Sequence, residues 1–208
     1  MPICHHEIIG KQTEMIIWEI NETEFELGKG LYLSAEALQI LSKRKSEVHR
    51  KGYLAIRQIL NSLRILPQIY QYDKIGAPFL TDGRFISISH SKDKAAAVIS
   101  STPVGIDLEI YKKKIKLIAP RFLNSLEIKK PVEMDELVYL TQIWTAKEAL
   151  YKLYKKPGLI FSKQICVEPF QKKSTSGKGV IIEKDKKSEY ILHFRRFDSY
   201  YLTLATTN

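Results

Sequence analysis

The chain has 208 residues and carries 33 lysines and arginines against 23 aspartates and glutamates, a formal net charge of +10. Hydrophobic residues make up 44% and charged residues 27%, a globular composition that argues against a disordered or fibrous chain. No apolar run approaches the roughly 18 residues that span a bilayer, so we expect neither an integral membrane protein nor a membrane partner. The first residues lack an apolar segment, and two cysteines give no disulfide framework. We therefore predict no signal peptide and a cytoplasmic location.

The excess positive charge lies in the second half of the chain. Residues 1–104 hold 13 basic and 11 acidic side chains, whereas residues 105–208 hold 20 and 12. This distribution favours an acidic partner or a phosphate-rich ligand. Net charge alone leaves a basic nucleic-acid-binding module open as an alternative.

The first half predicts one strand, one long helix and a run of strands. Residues 14–20 read as a short strand, Ser34 is an N-cap for a helix over 35–63, and 67–78 form a loop. Alternating segments at 85–91, 95–100 and 104–110 predict a meander of three consecutive strands. His5, His6 and Glu7 are expected to dangle near the terminus.

The second half repeats the order of helices followed by strands. A helix containing Arg121, Phe122 and Glu127 is predicted after a lysine-rich stretch, and a strong helix over 135–155 follows. Segments at 180–184, 190–194 and 200–205 read as a closing meander. The order suggests two α+β halves that pack together, with a boundary near 102–105.

Two acids lie one residue apart in the predicted strand GIDLE, residues 105–109. Side chains two positions apart share a face of a strand, so Asp107 and Glu109 point the same way. Paired carboxylates repel one another unless a cation lies between them, and hard oxygen ligands suit Mg²⁺. The alternative is an ordinary exposed strand face.

A third acid lies on the predicted helix, in the segment WTAKEALYK, residues 144–152. Trp144, Glu148 and Lys152 follow one another at four-residue spacing and share a helix face. Glu148 could hold metal or accept a proton, and Lys152 could stabilise phosphate charge. The alternative is a common surface ion pair between Glu148 and Lys152.

Two further candidates for binding lie in the first half. His90 follows Ser89 in the segment SISHS, residues 87–91, where a histidine facing a pocket could bind phosphate; a structural histidine is the alternative. Arg57 stands in an apolar stretch of the predicted helix 35–63.

Taken in order, SISHS, GIDLE and WTAKEALYK resemble the motifs of the 4′-phosphopantetheinyl transferase superfamily. The length resembles its Sfp-like group, in which one chain holds two similar halves. The resemblance implies an α+β fold with antiparallel sheets packed in a pseudo-twofold arrangement. Residues 1–103 would contact the nucleotide, and residues 104–208 would carry the metal site and the general base.

The resemblance also implies an activity, namely Mg²⁺-dependent transfer of the 4′-phosphopantetheine arm of coenzyme A to a serine of an apo acyl or peptidyl carrier protein. Asp107, Glu109 and Glu148 would bind Mg²⁺, and either Glu148 or a metal-bound water would be the base. Lys152 would offset phosphate charge. The implied contacts to the nucleotide are Ser89 and His90 at its phosphates, Arg57 at its 3′-phosphate, and Arg44 as a weaker candidate there.

The sequence departs from the family at Ala77, where the family often has a lysine between glycine and proline. The contact of that lysine with the nucleotide is lost in this chain. We expect a monomer with an acidic carrier-protein partner and no nucleic-acid partner. A degenerate family member that binds carrier proteins without catalysis is a further alternative.

Overall fold

The computed structural model describes residues 2–184 and 186–207. The chain divides into two compact units, Met1–Ser101 and Thr102–Asn208. Both combine α-helices with antiparallel sheet, so the predicted α+β class is confirmed. The units divide between residues 101 and 102, whereas the sequence placed the division between 103 and 104. The pseudo-twofold relation between the halves stays a prediction.

The first unit has a four-stranded antiparallel sheet with the order β1-β2-β6-β5, and a separate pair formed by β3 and β4. Helix α3 packs on the four-stranded sheet and buries Leu54, Ile56 and Ile59 against it. The elements of this unit are β1 (Ile3–Ile9), β2 (Thr13–Glu19), α1 (Glu24–Gly28), α2 (Ala35–Ser42), α3 (Glu47–Ser62), β3 (Tyr70–Tyr72), β4 (Pro78–Leu80), β5 (Phe85–Ser91) and β6 (Lys94–Ser100).

The second unit has a five-stranded antiparallel sheet with the order β7-β11-β10-β9-β8. Helix α5 crosses this sheet and buries Leu140, Ile143 and Leu150 in the core of the unit. The elements of this unit are β7 (Val104–Ile110), α4 (Ile115–Phe122), α5 (Glu136–Tyr154), α6 (Phe161–Gln164), β8 (Ile165–Val167), β9 (Ser176–Glu183), β10 (Lys186–Phe197) and β11 (Tyr200–Thr206).

Local sequence sets both ends of α5. The Asp135 side chain caps the N-terminus by accepting hydrogen bonds from the backbone amides of Leu137 and Val138. Lys155 adopts a left-handed conformation with φ of 55° at the C-terminus, and its amide donates to the carbonyl of Tyr151. The predicted helix over 135–155 is confirmed to within one residue at each end.

Two predicted element bounds were wrong. The helix predicted to contain Glu127 ends at Phe122, and the predicted loop over 67–78 contains the strand β3.

Three further local predictions were wrong. The predicted helix 35–63 is two helices, with a break over residues 43–46. The third strand of the predicted meander, β7, pairs with β11 of the second unit and not with β6. The segment with His5, His6 and Glu7 does not dangle, because it forms β1, where His6 Nε2 lies 2.8 Å from Glu14 Oε1 of β2.

No helix in the described parts of the chain is long and apolar enough to cross a membrane.

Candidate functional site

A glycine brings α5 into contact with the first strand of the second unit. A Cβ atom added at Gly105 of β7 would lie 1.9 Å from the carbonyl oxygen of Ala149 and 2.6 Å from the amide nitrogen of Leu153. No side chain fits between these two backbones. A glycine inside a strand often marks such an approach, so the sequence contained this signal.

The same face of the sheet carries the acids of the motif GIDLE. Asp107 pairs across the ladder with Thr203 of β11, whose hydroxyl lies 2.9 Å from that of Thr145 on α5, and both threonines are buried. Directly opposed residues share a sheet face, so Asp107 lies on the side covered by α5. Glu109, two residues on, shares that side, as predicted from strand geometry.

Lys152 joins the helix to the strand. Its ammonium group lies 2.7 Å from Asp107 Oδ1 and donates a second hydrogen bond to the carbonyl oxygen of Ile106 at 3.1 Å. The Asp107 residue is only 5% exposed. Lys152 therefore supplies positive charge where a carboxylate has little access to water.

Glu148 lies one helical turn before Lys152 and belongs to the same electrostatic cluster. Burial raises the pKa of Glu148 to about 7, and the negative charges of Asp107 and Glu109 add to the rise. The charge of Lys152 opposes it. The structure thus brings Asp107, Glu109, Glu148 and Lys152 together, and the acids repel one another there.

The donor set of this cluster suits a metal that is shared with a substrate. Within the described residues, no three His, Cys, Asp or Glu side chains are grouped so that they could hold a metal ion. Mg²⁺ usually takes only one or two carboxylates and completes its shell with substrate phosphates and water. The negative charges of Asp107 and Glu109 that raise the pKa of Glu148 fit such an ion, because it would offset the repulsion.

The residue before Glu148 has a structural role that the sequence did not reveal. Lys147 is fully buried, and its ammonium lies 2.6 Å from Glu127 Oε2, which is buried as well. Lys147 also donates to the carbonyl oxygens of Phe122 and Phe161. Burial lowers the pKa of Lys147 and the Glu127 charge opposes that change. The sequence did not predict this burial, because Lys147 stands beside a charged glutamate on a helix.

Ser89 and His90 lie on β5 in the first unit. A Cβ atom added at Gly52 of α3 would lie 2.4 Å from the His90 ring, so this histidine packs against the helix. The His49 ring meets it edge-on at 5.7 Å between centroids. Ser89 is buried, and as the strand neighbour of His90 it points to the opposite face of the sheet. Their predicted role in phosphate binding stays a prediction.

The two predicted arginines meet at one tyrosine ring. The Arg57 guanidinium carbon lies 3.5 Å from the centroid of the buried Tyr53 ring, and that of Arg44 lies 4.9 Å from it. Arg57 also lies 5.0 Å from the centroid of Tyr70 and donates to the Tyr72 hydroxyl at 3.3 Å. These aromatic contacts hold Arg57 at a pocket of the first unit.

The unit that carries the carboxylate cluster matches a known protein family. The family model of the 4′-phosphopantetheinyl transferase superfamily matches residues 103–205, which span nearly all of the second unit. The chain is 32% identical over 114 residues to the 4′-phosphopantetheinyl transferase psf-1 of Bacillus pumilus, covering 50% of this chain and 48% of that protein.

Two other proteins are similar to this chain. The 4′-phosphopantetheinyl transferase gsp of Aneurinibacillus migulanus is 25% identical over 148 residues, covering 68% of this chain and 60% of that protein. The enterobactin synthase component D of Salmonella typhi is 34% identical over 119 residues, covering 54% and 49%. The matches span about half the length of these curated relatives.

The second unit is an α+β domain that carries a cluster of acids on α5 and β7. The chain belongs, through its second unit, to the 4′-phosphopantetheinyl transferase superfamily, and the predicted family is confirmed.

Proposed function

We propose that the protein transfers the 4′-phosphopantetheine group of coenzyme A to a serine hydroxyl of an apo acyl or peptidyl carrier protein and releases 3′,5′-ADP. The observation that carries this proposal is the placement by α5 of Glu148 and Lys152 against Asp107 and Glu109 of β7. Relatives named 4′-phosphopantetheinyl transferases support it.

The proposed reaction exchanges one phosphorus–oxygen bond for another. The serine oxygen of the carrier bonds to the phosphorus that bears pantetheine, the bond from that phosphorus to 3′,5′-ADP breaks, and the serine proton leaves. Carboxylates drawn from Asp107, Glu109 and Glu148, together with phosphate oxygens of the substrate, would hold Mg²⁺, which as a Lewis acid would draw charge from the pyrophosphate.

The chain's own residues have separate parts in this proposal. Glu148, whose pKa lies at about 7 when no metal is bound, accepts the serine proton directly or through water. Lys152, already held between Asp107 and the Ile106 carbonyl, offers its ammonium to charge that develops on the phosphate. Arg57 and Arg44, with Ser89 and His90, would bind the nucleotide.

A direct assay tests the proposal. Purified protein is incubated with coenzyme A, Mg²⁺ and an apo acyl carrier protein, and the carrier is weighed by mass spectrometry. We expect the mass to increase by one phosphopantetheine group, and the increase to disappear with a chelator or in Asp107→Asn. A full increase in Asp107→Asn would overturn the assignment of the site, and an unmodified carrier with the unaltered protein would overturn the function.

A further inference from the structure

The second unit has a recess that lies outside the carboxylate cluster. It is an open cleft beside the N-terminal half of α5. The loop between β8 and β9 supplies Lys172 and Lys173 to one wall, and β10 supplies Arg196 to another. The cleft therefore presents cations on two sides.

The acids of the cleft do not cancel this charge. Glu133 and Asp135 also line it. The Asp135 carboxylate already accepts hydrogen bonds from the backbone amides of Leu137 and Val138 at the start of α5. Three cations thus face two acids, of which one caps a helix.

The buried Tyr201 lines the cleft and has an incomplete hydrogen-bonding complement. The residue is 5% exposed, and its hydroxyl has no hydrogen-bond partner in the part of the chain that the structure describes. The centroid of its ring lies 5.6 Å from the Arg196 guanidinium carbon and 6.4 Å from the centroid of the Tyr111 ring. A buried hydroxyl without a partner is unfavourable until a ligand or water completes it.

The sheet connects this cleft to the carboxylate cluster. Glu109 of β7 pairs with Tyr201 of β11, and Tyr201 pairs with Arg196 of β10. The three residues form one row across neighbouring strands, so Arg196 lies two strand spacings, about 10 Å, from Glu109. A chain segment bound in the cleft would end beside the acids.

We propose that this cleft docks an acidic segment of the protein acceptor and that the Tyr201 hydroxyl donates a hydrogen bond to it. Cations spread along two walls of an open cleft meet a segment with several carboxylates better than they meet one small anion. The inference rests on the proposed function for the identity of the acceptor, and it adds the surface by which that acceptor is recognised.

Direct binding tests the docking site separately from transfer. A fluorescently labelled apo acyl carrier protein is titrated with the full-length protein, and anisotropy gives the Kd. We expect Lys173→Glu/Arg196→Glu to raise the Kd about tenfold or more. The matched control, Lys178→Glu/Lys187→Glu, changes two exposed lysines on β9 and β10 by the same total charge. It should raise the Kd much less, through the change in net charge alone.

Tyr201→Phe gives a second readout that general charge cannot produce. Removing the hydroxyl should raise the Kd about threefold, as expected for one lost hydrogen bond. The unfolding temperature should stay the same or rise, because the variant no longer buries an unpartnered hydroxyl. A fall in the unfolding temperature with an unchanged Kd would assign the hydroxyl a purely structural role and overturn its part in docking.

The remaining outcomes each decide the proposal. Equal weakening by both double variants would show diffuse attraction and overturn a defined cleft, as would absence of carrier binding to the unaltered protein. Displacement of the carrier by millimolar inorganic phosphate at constant ionic strength would identify a small-anion site instead. Carrier that binds in the cleft without being modified would overturn the proposed function and leave docking intact. Transfer with an unchanged KM for the carrier in the cleft variant would overturn the docking site and leave the proposed function intact.

Discussion

At the scale of single residues, the carboxylate cluster combines burial with mutual repulsion. Burial and the charges of Asp107 and Glu109 raise the pKa of Glu148 to about 7, while Lys152 opposes the rise. At neutral pH in the metal-free protein, the Glu148 carboxyl group therefore lies near its pKa and is present in both protonated and deprotonated forms. That property suits a group that takes up a proton during a reaction.

The raised pKa of Glu148 predicts how stability depends on pH. The unfolded protein releases this proton near pH 4.5 and the folded protein near pH 7, so the stabilisation is complete below 4.5 and is lost as the pH rises through 7. We expect the metal-free protein to lose about 3 kcal/mol of stability across this window relative to Glu148→Gln. Urea unfolding with a chelator measures it, and parallel pH profiles for the two proteins would contradict the prediction.

Replacement of Lys152 tests its proposed action on phosphate charge. Lys152→Met keeps the length of the side chain and removes the ammonium that contacts Asp107. We expect kcat to fall about 10²-fold and the KM for coenzyme A to change much less, because a group that acts on developing charge affects the transition state most. Steady-state kinetics measure both constants, with the exposed Lys163→Met as control. A raised KM at normal kcat would assign Lys152 to ground-state binding.

At the scale of elements, the contact between α5 and β7 sets the geometry of the cluster. Because Gly105 leaves backbone against backbone, the helix carrying Glu148 and Lys152 lies as close to the strand carrying Asp107 as the chain permits. A side chain at this position must move one element away from the other.

Gly105→Ala should therefore reduce both stability and activity. Its Cβ atom would meet the Ala149 carbonyl oxygen at 1.9 Å, and relief of the clash moves α5. We expect a loss of about 1–3 kcal/mol in unfolding free energy and of about 10²-fold in kcat from misplaced groups. Gly28→Ala is the control, since nothing lies within 4 Å of its added Cβ. Normal kinetics in Gly105→Ala would separate activity from this contact.

The buried pair of Lys147 and Glu127 holds the other side of α5. Removal of one partner leaves an uncompensated buried charge, so Glu127→Ala should cost about 3–5 kcal/mol in urea unfolding. Lys147→Met/Glu127→Gln should cost less than the sum of its single changes. The exposed ion pair between Lys156 and Glu183 provides the control, because Lys156→Ala should cost under about 1 kcal/mol. Additive single changes would rule out coupling between Lys147 and Glu127.

At the scale of the whole molecule, the net charge of +10 predicts how the carrier associates. We expect the affinity for an acidic carrier protein to fall about tenfold between about 0.05 and 0.5 M NaCl, because salt screens the attraction. Anisotropy titrations measure this, with sucrose at equal osmolality as the control. Affinity that is independent of salt would show that charge does not guide the encounter.

Local sequence predicted much of this architecture, and long-range contacts explain where it failed. The helix α5 and the closing meander were both predicted from the local pattern of residues. The break over residues 43–46 was not, because Arg50 satisfies the carbonyls of Arg44 and Lys45 while Glu24, distant in sequence, holds its guanidinium.

The site shows the same division between local and distant information. Asp107, Glu109, Glu148 and Lys152 share their predicted faces because the faces depend only on strand and helix periods. The pairing of β7 with β11 depends on residues almost 100 positions away and could not be read from the turn after β6. The burial of Lys147 depends on Glu127 in the same way.

The neighbours Lys147 and Glu148 give α5 a fixed rotation about its axis. One side chain is fastened in the interior by Glu127 and two carbonyl groups, while the next faces Asp107 and Glu109. Adjacent helical residues are about 100° apart. A rotation of α5 that turned Glu148 away from Asp107 and Glu109 would therefore also break the buried contacts of the Lys147 ammonium group. The orientation of the proposed proton acceptor is thereby fixed by an ion pair buried in the core of the unit.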